Sequence, residues 1–367
     1  MNHAAVPPSP PEALVWGLLA LCRAGFEKEL ASELDGFARK LGLEGFVRTR
    51  EHSAFVVFEC TSPVAYTELA PHCDWHSLIF ARSLMPWFAR LDGLPERDRA
   101  RPIVEAARQA GQRFATVFVE HPDSDTARPL SGFTRRFSEP LAKLLSANGA
   151  LRTSRKNLPE LHVLFSDAQT AWLGACPPGQ AAPWPMGIPR LRMPHEAGSR
   201  STLKLAEAIL GMLTEEERSV GMRAGMRAVD LGAAPGGWTW QLAWRGLHVT
   251  AIDNGPMAAS VMATEMVEHL RADGFTWRPP KAVDWLVCDM VAQPSRIASL
   301  MAEWIATGRT RHAIFNLKLP MKRRLDAVMQ CRTLIHKRLL SVGPYELRLK
   351  HLYHDREEVT AYLTLRR

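Results

Sequence analysis

Apolar and polar positions follow one grammar before residue 176 and another after about residue 197. Near the start, the unbroken apolar run 14–21 predicts a buried strand. Phe26, Leu30, Leu34, Phe37 and Leu41 follow at three-to-four spacing, which predicts a helix from about Gly25. A second strand at 53–59 completes a small α+β unit. The next stretch keeps to α+β patterning, with a helix near 103–111, a strand at 114–119 and a basic helix at 133–148. Strands at 161–165 and 170–174 then flank a turn at Ser166, Asp167 and Ala168. Residues 1–12, with Pro7, Pro8, Pro10 and Pro11, read as a loose tail.

Six prolines fall between residues 176 and 194, at 177, 178, 183, 185, 189 and 194. Proline removes a backbone donor and fixes φ, so helix and central strand are both excluded there and a linker is expected. Beyond it, strands alternate with helices. A helix follows Ser201, and a second carries the capping box Thr214 to Glu217. Strands at 227–231, 248–252, 285–288 and 313–317 are separated by helical segments. That alternation predicts an α/β fold with an open, mostly parallel, doubly wound sheet.

Composition narrows the class. At 367 residues, with 46% hydrophobic and 23% charged residues, the chain is globular and long enough for two or three domains. Its net charge of +8 is concentrated. Segment 128–156 holds seven basic residues and one acid, and segment 321–340 holds six and one. These two islands carry more positive charge than the whole chain, so the remainder is slightly acidic. Such a distribution suggests a polyanionic partner, with a solvated charged face as the alternative. The six cysteines form no CxxC pair, which argues against a zinc ribbon or a disulfide framework and for a reducing cytosol. The longest apolar run, residues 14–22, is too short to span a bilayer, and its Pro-rich leader lacks the basic residues of a signal peptide. A soluble, cytoplasmic protein is expected.

The candidate chemistry begins at a small-residue loop, Asp230-Leu-Gly-Ala-Ala-Pro-Gly-Gly237, between the first strand of the second part and a helix. A P-loop needs Lys-Ser/Thr after its second glycine, and Trp238-Thr239 stand there instead. A dinucleotide fingerprint needs glycine where Ala234 sits. What remains is a ligand with a nucleoside and no pyrophosphate, which favours S-adenosylmethionine. Asp253 closes the next strand, where such folds hold a ribose diol. Asp273, in Arg-Ala-Asp-Gly-Phe, could meet an adenine amino group or simply brace an Asp-Gly turn. Two further strands end in polar residues, Asp289 and Lys318. A lysine in the apolar frame Phe315-Asn-Leu-Lys-Leu-Pro320 has a desolvation cost, so pairing or a lowered pKa is expected, unless its stem merely snorkels to solvent.

Lys204, Asp289, Lys318 and Glu358, arranged around that loop, resemble the K-D-K-E tetrad of FtsJ-like ribose 2′-O-methyltransferases. The chain resembles the RlmM family still more closely, in WPMGIPRLRMP, SRSTLKLAEA, PGGWTWQL, DNGPMA, LRADGF, VCDM, IFNLKLPMKRR, LYHDREEVT and the amino-terminal RAGFEKEL. The resemblance implies a Rossmann-like S-adenosylmethionine-dependent methyltransferase domain that modifies a cytidine ribose in bacterial 23S ribosomal RNA, with S-adenosylhomocysteine as product and no metal. It implies that Ser201, Pro235, Gly236, Gly237, Asp253, Asp273 and Asp289 line the cofactor site. Ala234, where the family often has Cys, would contribute a backbone contact. Lys318 would be the proton acceptor, with Lys204, Asp289 and Glu358 completing the catalytic set. The implied organisation is a ferredoxin-like unit at 1–60, a THUMP-type RNA-binding domain at 61–175, a linker at 176–197 and the methyltransferase domain at 198–367.

Lys318 accepts a proton only if neutral. Lys204 would favour that state, and Asp289 and Glu358 would oppose it; an ammonium that steers the hydroxyl is the alternative. Lys322, Arg323 and Arg324 follow the tetrad lysine and could hold nearby phosphates. Arg135, Arg136, Arg155 and Lys156 in the other island would grip RNA farther away. The partner expected is 23S ribosomal RNA or a large-subunit precursor, with a monomer favoured and no membrane. A non-catalytic ribosome-assembly factor is the competing reading. Most of the eleven tryptophans lie on apolar faces and are expected in the core.

Overall fold

A computed structural model describes residues 13–366 and divides into two compact units between Ile188 and Pro189. The tail expected at 1–12 lies outside the described residues. In the first unit the elements are β1 (Leu14–Leu21), α1 (Glu27–Lys40), β2 (Gly45–Thr49), β3 (Phe55–Ala65), α2 (Tyr66–Leu69), β4 (Ser83–Leu91), α3 (Ala100–Gln109), β5 (Thr116–Glu120), α4 (Ser131–Ala147), β6 (Glu160–Phe165) and β7 (Ala171–Cys176). The α1 face at Leu30, Leu34 and Ala38 is wholly buried, as its spacing requires.

One seven-stranded sheet runs through this unit in the order β2-β3-β1-β4-β7-β6-β5, with only β5 and β6 parallel. The boundary expected at 60/61 therefore falls within β3, which pairs with β1 and β2. The central strand β4 joins the two halves by pairing with β1 and β7. Pro86 obscures it in the sequence, since proline is normally kept from central strands. It is accommodated beside a register irregularity between Trp87 and Ala89. After β7 the Pro-rich segment contains a single 3₁₀ turn, Pro185–Gly187.

The second unit contains α5 (Thr202–Met212), α6 (Glu215–Ser219), β8 (Arg227–Leu231), α7 (Gly237–Trp244), β9 (His248–Ile252), α8 (Ala259–Met262), β10 (Val267–Leu270), β11 (Val283–Cys288), α9 (Pro294–Ala306), β12 (Thr310–Lys318), α10 (Arg324–Leu339), β13 (Tyr345–Lys350) and β14 (Glu358–Leu365). Both hydrogen bonds of the Thr214/Glu217 capping box are formed. The strand order is β10-β9-β8-β11-β12-β14-β13. The first five strands are parallel, while β14 and β13 run antiparallel to their neighbours. The order reverses between β8 and β11, and at such a switch point the loops after the two strands diverge and open a crevice at the carboxyl edge. Trp238, Trp285 and Tyr362 are buried in the core of this unit. Trp244, at 66% exposure, and Trp16, at 43%, lie outside the core. Among the described residues no helix is long and apolar enough to cross a membrane.

Candidate active site

The loop after β8 is shaped by its glycines. Gly236 has φ +113°, a conformation that side-chain-bearing residues rarely adopt, and it caps the start of α7. A Cβ on Gly237 would collide with Ser201 Oγ and stand 2.9 Å from Thr202 N, so the loop and the start of α5 can approach this closely only without one. Asp253, just beyond β9, braces the loop from the side: Ala234 N donates to its Oδ2 at 3.0 Å and Gly255 N to its Oδ1 at 2.7 Å. Asp273 Oδ1 accepts from Phe275 N at 2.9 Å, so the turn-bracing interaction is formed, and the residue is exposed.

Asp230, which opens the motif and has no role assigned by the sequence, is buried. Its Oδ2 accepts from Thr239 Oγ1 at 2.6 Å, while its Oδ1 has no hydrogen-bond partner. Burial is the main reason that its pKa rises to about 7, with the charges of Asp289 and Asp253 adding to it and the Thr239 bonds opposing.

Across the switch point, Asp289 follows β11 directly and Lys318 ends β12. Lys318 Nζ donates to Asp289 Oδ1 at 2.5 Å and to Glu358 Oε2 at 2.7 Å. From α5, Lys204 Nζ pairs with Glu358 and lies 3.5 Å from Asp289 Oδ2. The four residues expected to form a tetrad thus meet as two cations and two anions, each side chain largely buried. Burial works against the Lys318 ammonium, but the charge and hydrogen bonds of Asp289 and Glu358 outweigh it, and its pKa is raised. Burial likewise opposes ionised Glu358, yet bonds from Lys204 and Lys318 hold its pKa below the usual glutamate value. Both shifts favour the charged forms of Lys318 and Glu358. Asp289 was expected in the cofactor set as well; its carboxylate is turned to the lysines.

Three residues behind the quartet lie in the segments IFNLKLPMKRR and LYHDREEVT but have no role assigned by the sequence. Asn316 Nδ2 donates to Asp289 Oδ1 at 2.9 Å, and Thr360 and Asp355 stand behind it, all three wholly buried. Their signal was period two: Asn316 and Thr360 lie two residues from Lys318 and Glu358 on the same strand faces.

Of the basic residues expected to meet RNA, Arg135, Arg136, Arg155, Lys156, Lys322 and Arg323 are exposed. Arg324 differs: it is mostly covered, and its Nη2 pairs with Glu357 at 3.0 Å, next to the tetrad glutamate. Arg323 pairs with Asp326 at 2.8 Å on the surface.

The residues present fit S-adenosylmethionine. Each Asp253 oxygen, with one backbone N–H bound, retains acceptor capacity for a ribose hydroxyl at the carboxyl edge of the sheet. Fold and site together define the class as a Rossmann-like methyltransferase, and residues 197–338 match the FtsJ-like methyltransferase family model. Residues 15–85 match the RlmM ferredoxin-like domain, and residues 98–176 the amino-terminal model of ribosomal RNA large subunit methyltransferase M. Curated relatives carrying the name ribosomal RNA large subunit methyltransferase M extend over nearly the whole chain. One from Aromatoleum aromaticum is 68% identical over 98% of this chain and 99% of its own. One from Xanthomonas campestris pv. campestris is 48% identical over 94% and 98%. The chain belongs to the ribosomal RNA large subunit methyltransferase M family, as its resemblance to RlmM implied.

Proposed function

We propose that this protein transfers a methyl group from S-adenosylmethionine to the ribose 2′-hydroxyl of a cytidine in 23S ribosomal RNA, in the cytoplasm and as a monomer. The observation that carries this reading is the mutually paired Lys204–Asp289–Lys318–Glu358 quartet at the carboxyl edge of the sheet. The cofactor supplies an activated methyl on a sulfonium. Pro235, Gly236, Gly237 and the Ala234 backbone, with Ser201, line its place, Asp253 takes the ribose diol, and Asp273 lies toward the adenine.

A ribose hydroxyl is a poor nucleophile, so the residues must align it and manage one proton. Lys318, as an ammonium fixed by two carboxylates, orients the hydroxyl oxygen and stabilises the negative charge that grows on it. As the C–O bond forms and the bond from methyl to sulfur breaks, the hydroxyl proton would pass to Asp289 Oδ2, the oxygen opposite the one that Lys318 holds. Lys204 keeps Glu358 ionised, and Glu358 keeps Lys318 aimed.

Substrate RNA is held by Lys322 and Arg323 near the reacting ribose, and by Arg135, Arg136, Arg155 and Lys156 in a THUMP-type region that follows the ferredoxin-like unit matched over residues 15–85. The segment 176–197 links these to the methyltransferase domain at 198–367. Arg324 acts in this scheme by holding Glu357. Mapping 2′-O-methylation across 23S ribosomal RNA from cells lacking the protein tests the reading. One cytidine should lose its methyl group and regain it on addition of the purified protein with S-adenosylmethionine. An unchanged methylation map would overturn the assignment.

A further inference from the structure

The quartet is recessed, with no side chain more than 21% exposed. The two loops that leave it nevertheless carry the most exposed large apolar side chains among the described residues. Val291, two residues past Asp289, is 91% exposed, and Met321, three past Lys318, is 92% exposed; the next, Leu340, is at 69%. Strands β11 and β12 are parallel neighbours, so both loops rise from the same carboxyl edge. A lone exposed apolar side chain needs no explanation, since soluble surfaces carry many. Two at the rim of one polar site, each on the loop next to a tetrad residue, do need one.

Neither side chain hangs from a loose segment. On the Met321 loop, buried Leu319 donates its N–H to Glu357 O at 2.7 Å, and Arg324 pairs with the carboxylate of the same Glu357 at 3.0 Å. The loop is thus pinned on both sides of Met321, and Pro320 stiffens the chain just before it. On the Val291 loop, Met290 packs over Gly232 and Gly274, where an added Cβ would meet its Cγ at 2.5 Å and its Sδ at 2.9 Å. Pro294 then opens α9. Met290 therefore belongs to the cofactor loops, while its neighbour Val291 stands in solvent.

The recess dictates what these side chains meet. In an A-form stack the ribose is held between its neighbours, and its 2′-hydroxyl reaches only groups that enter the shallow groove. To touch a largely covered Lys318, the nucleotide must leave the stack, and bases that had been stacked lose their contacts. Apolar side chains replace such contacts, as they do where proteins wedge nucleic acid bases apart. The charges around Met321 fit the same partner. Lys322, Arg323 and Arg356 are exposed, whereas the nearby acids Asp326 and Glu357 pair with Arg323 and Arg324. We propose that Val291 and Met321 form an apolar wedge that packs on the bases exposed when the target nucleotide leaves its stack, and so holds its ribose at the quartet.

The proposal rests on the methyl-transfer reading, and the experiment separates the two. Full-length wild type, the double variant Val291→Ser with Met321→Ser, and Met321→Leu are compared on unmethylated 23S ribosomal RNA. Both wedge side chains are already in solvent, so the urea midpoint should not move in any variant. In the double variant RNA affinity should fall by about tenfold with an unchanged salt slope, because no phosphate contact is lost. Single-turnover transfer of labelled methyl at saturating RNA should fall by about tenfold as well, with S-adenosylmethionine affinity within about threefold of wild type. Met321→Leu keeps an apolar side chain and should stay within about threefold of wild type in both RNA readouts. Wild-type RNA affinity in the double variant would overturn the proposal, as would a loss accompanied by a smaller salt slope. A double variant altered only in self-association, read by sedimentation, would also overturn it and mark a protein-docking face. A wild type that binds RNA through these residues but transfers no methyl would instead overturn the function.

Discussion

Lys318 and Glu358 stand directly opposite one another in the antiparallel ladder of β12 and β14, and their side chains meet at 2.7 Å. The backbone register thus fixes both residues, so their ion pair loses less side-chain entropy than one formed between flexible loops. Asp289 and Lys204 approach the same pair from β11 and α5, and the four charges sum to zero. A neutral, mutually bonded quartet can remain ionised where any single member would be forced toward its uncharged state.

Replacing Lys318 with Met should retain the apolar stem and remove the ammonium. Methyl transfer should fall by roughly 100-fold or more, while S-adenosylmethionine affinity, read by calorimetry, stays within about threefold. Because the Lys318 pKa is raised, the charged form should persist throughout neutral and mildly alkaline pH. Single-turnover rates should therefore lack the tenfold rise per pH unit that a neutral lysine base would impose below its pKa. Such a rise would return the proton-acceptor role to Lys318.

Asp253 has a different task. Both of its oxygens brace backbone groups, Ala234 N on one side and Gly255 N on the other. Asp253→Ala should weaken S-adenosylmethionine binding by about 10- to 100-fold and leave RNA affinity unchanged. Asp253→Asn should also bind poorly, since one end of its amide must present N–H to a backbone N–H. Wild-type affinity in either variant would assign the ribose elsewhere.

The tetrad was legible because its members lie at strand ends or in the first turn of a helix, where a polar residue interrupts an apolar pattern. The glycine loop was legible for a similar reason: small residues between a strand and a helix have few other uses. Asn316 and Thr360 escaped because a polar residue inside an apolar strand looks the same whether it faces solvent or a buried partner. Pro86 hid β4, and with it the continuity of the first sheet. Arg324 illustrates a further limit. Its place in a basic run gave no sign that Glu357, 33 positions later, would cover it.

That difference separates the basic residues experimentally. Charge reversal at exposed Lys322 and Arg323, or at Arg135, Arg136, Arg155 and Lys156, should weaken RNA binding and reduce its salt slope by about 0.7–0.9 for each phosphate no longer neutralised. Arg324→Ala should leave the slope nearly unchanged and lower kcat, because it releases Glu357 beside Glu358. Equal slopes in wild type and the exposed-residue variants would make those residues a solvated face.

The unmatched oxygen of Asp230 gives a pH signature. Its pKa of about 7 in the folded protein lies above the ordinary aspartate value of 3.8. Between those values the folded state retains a proton that the unfolded chain has released, so the dependence of unfolding free energy on pH is negative. The stability contribution is complete below about pH 4, declines as pH rises, and is lost above about pH 7. Asp230→Asn cannot ionise, and its carbonyl can still accept from Thr239 Oγ1. Across pH 5 to 7 the variant should gain relative to wild type by up to about 1.4 kcal/mol per pH unit, read from urea unfolding followed by tryptophan fluorescence. A constant difference between the two proteins over that range would mean that Asp230 is ionised in the fold and that its buried oxygen has found a partner in solution.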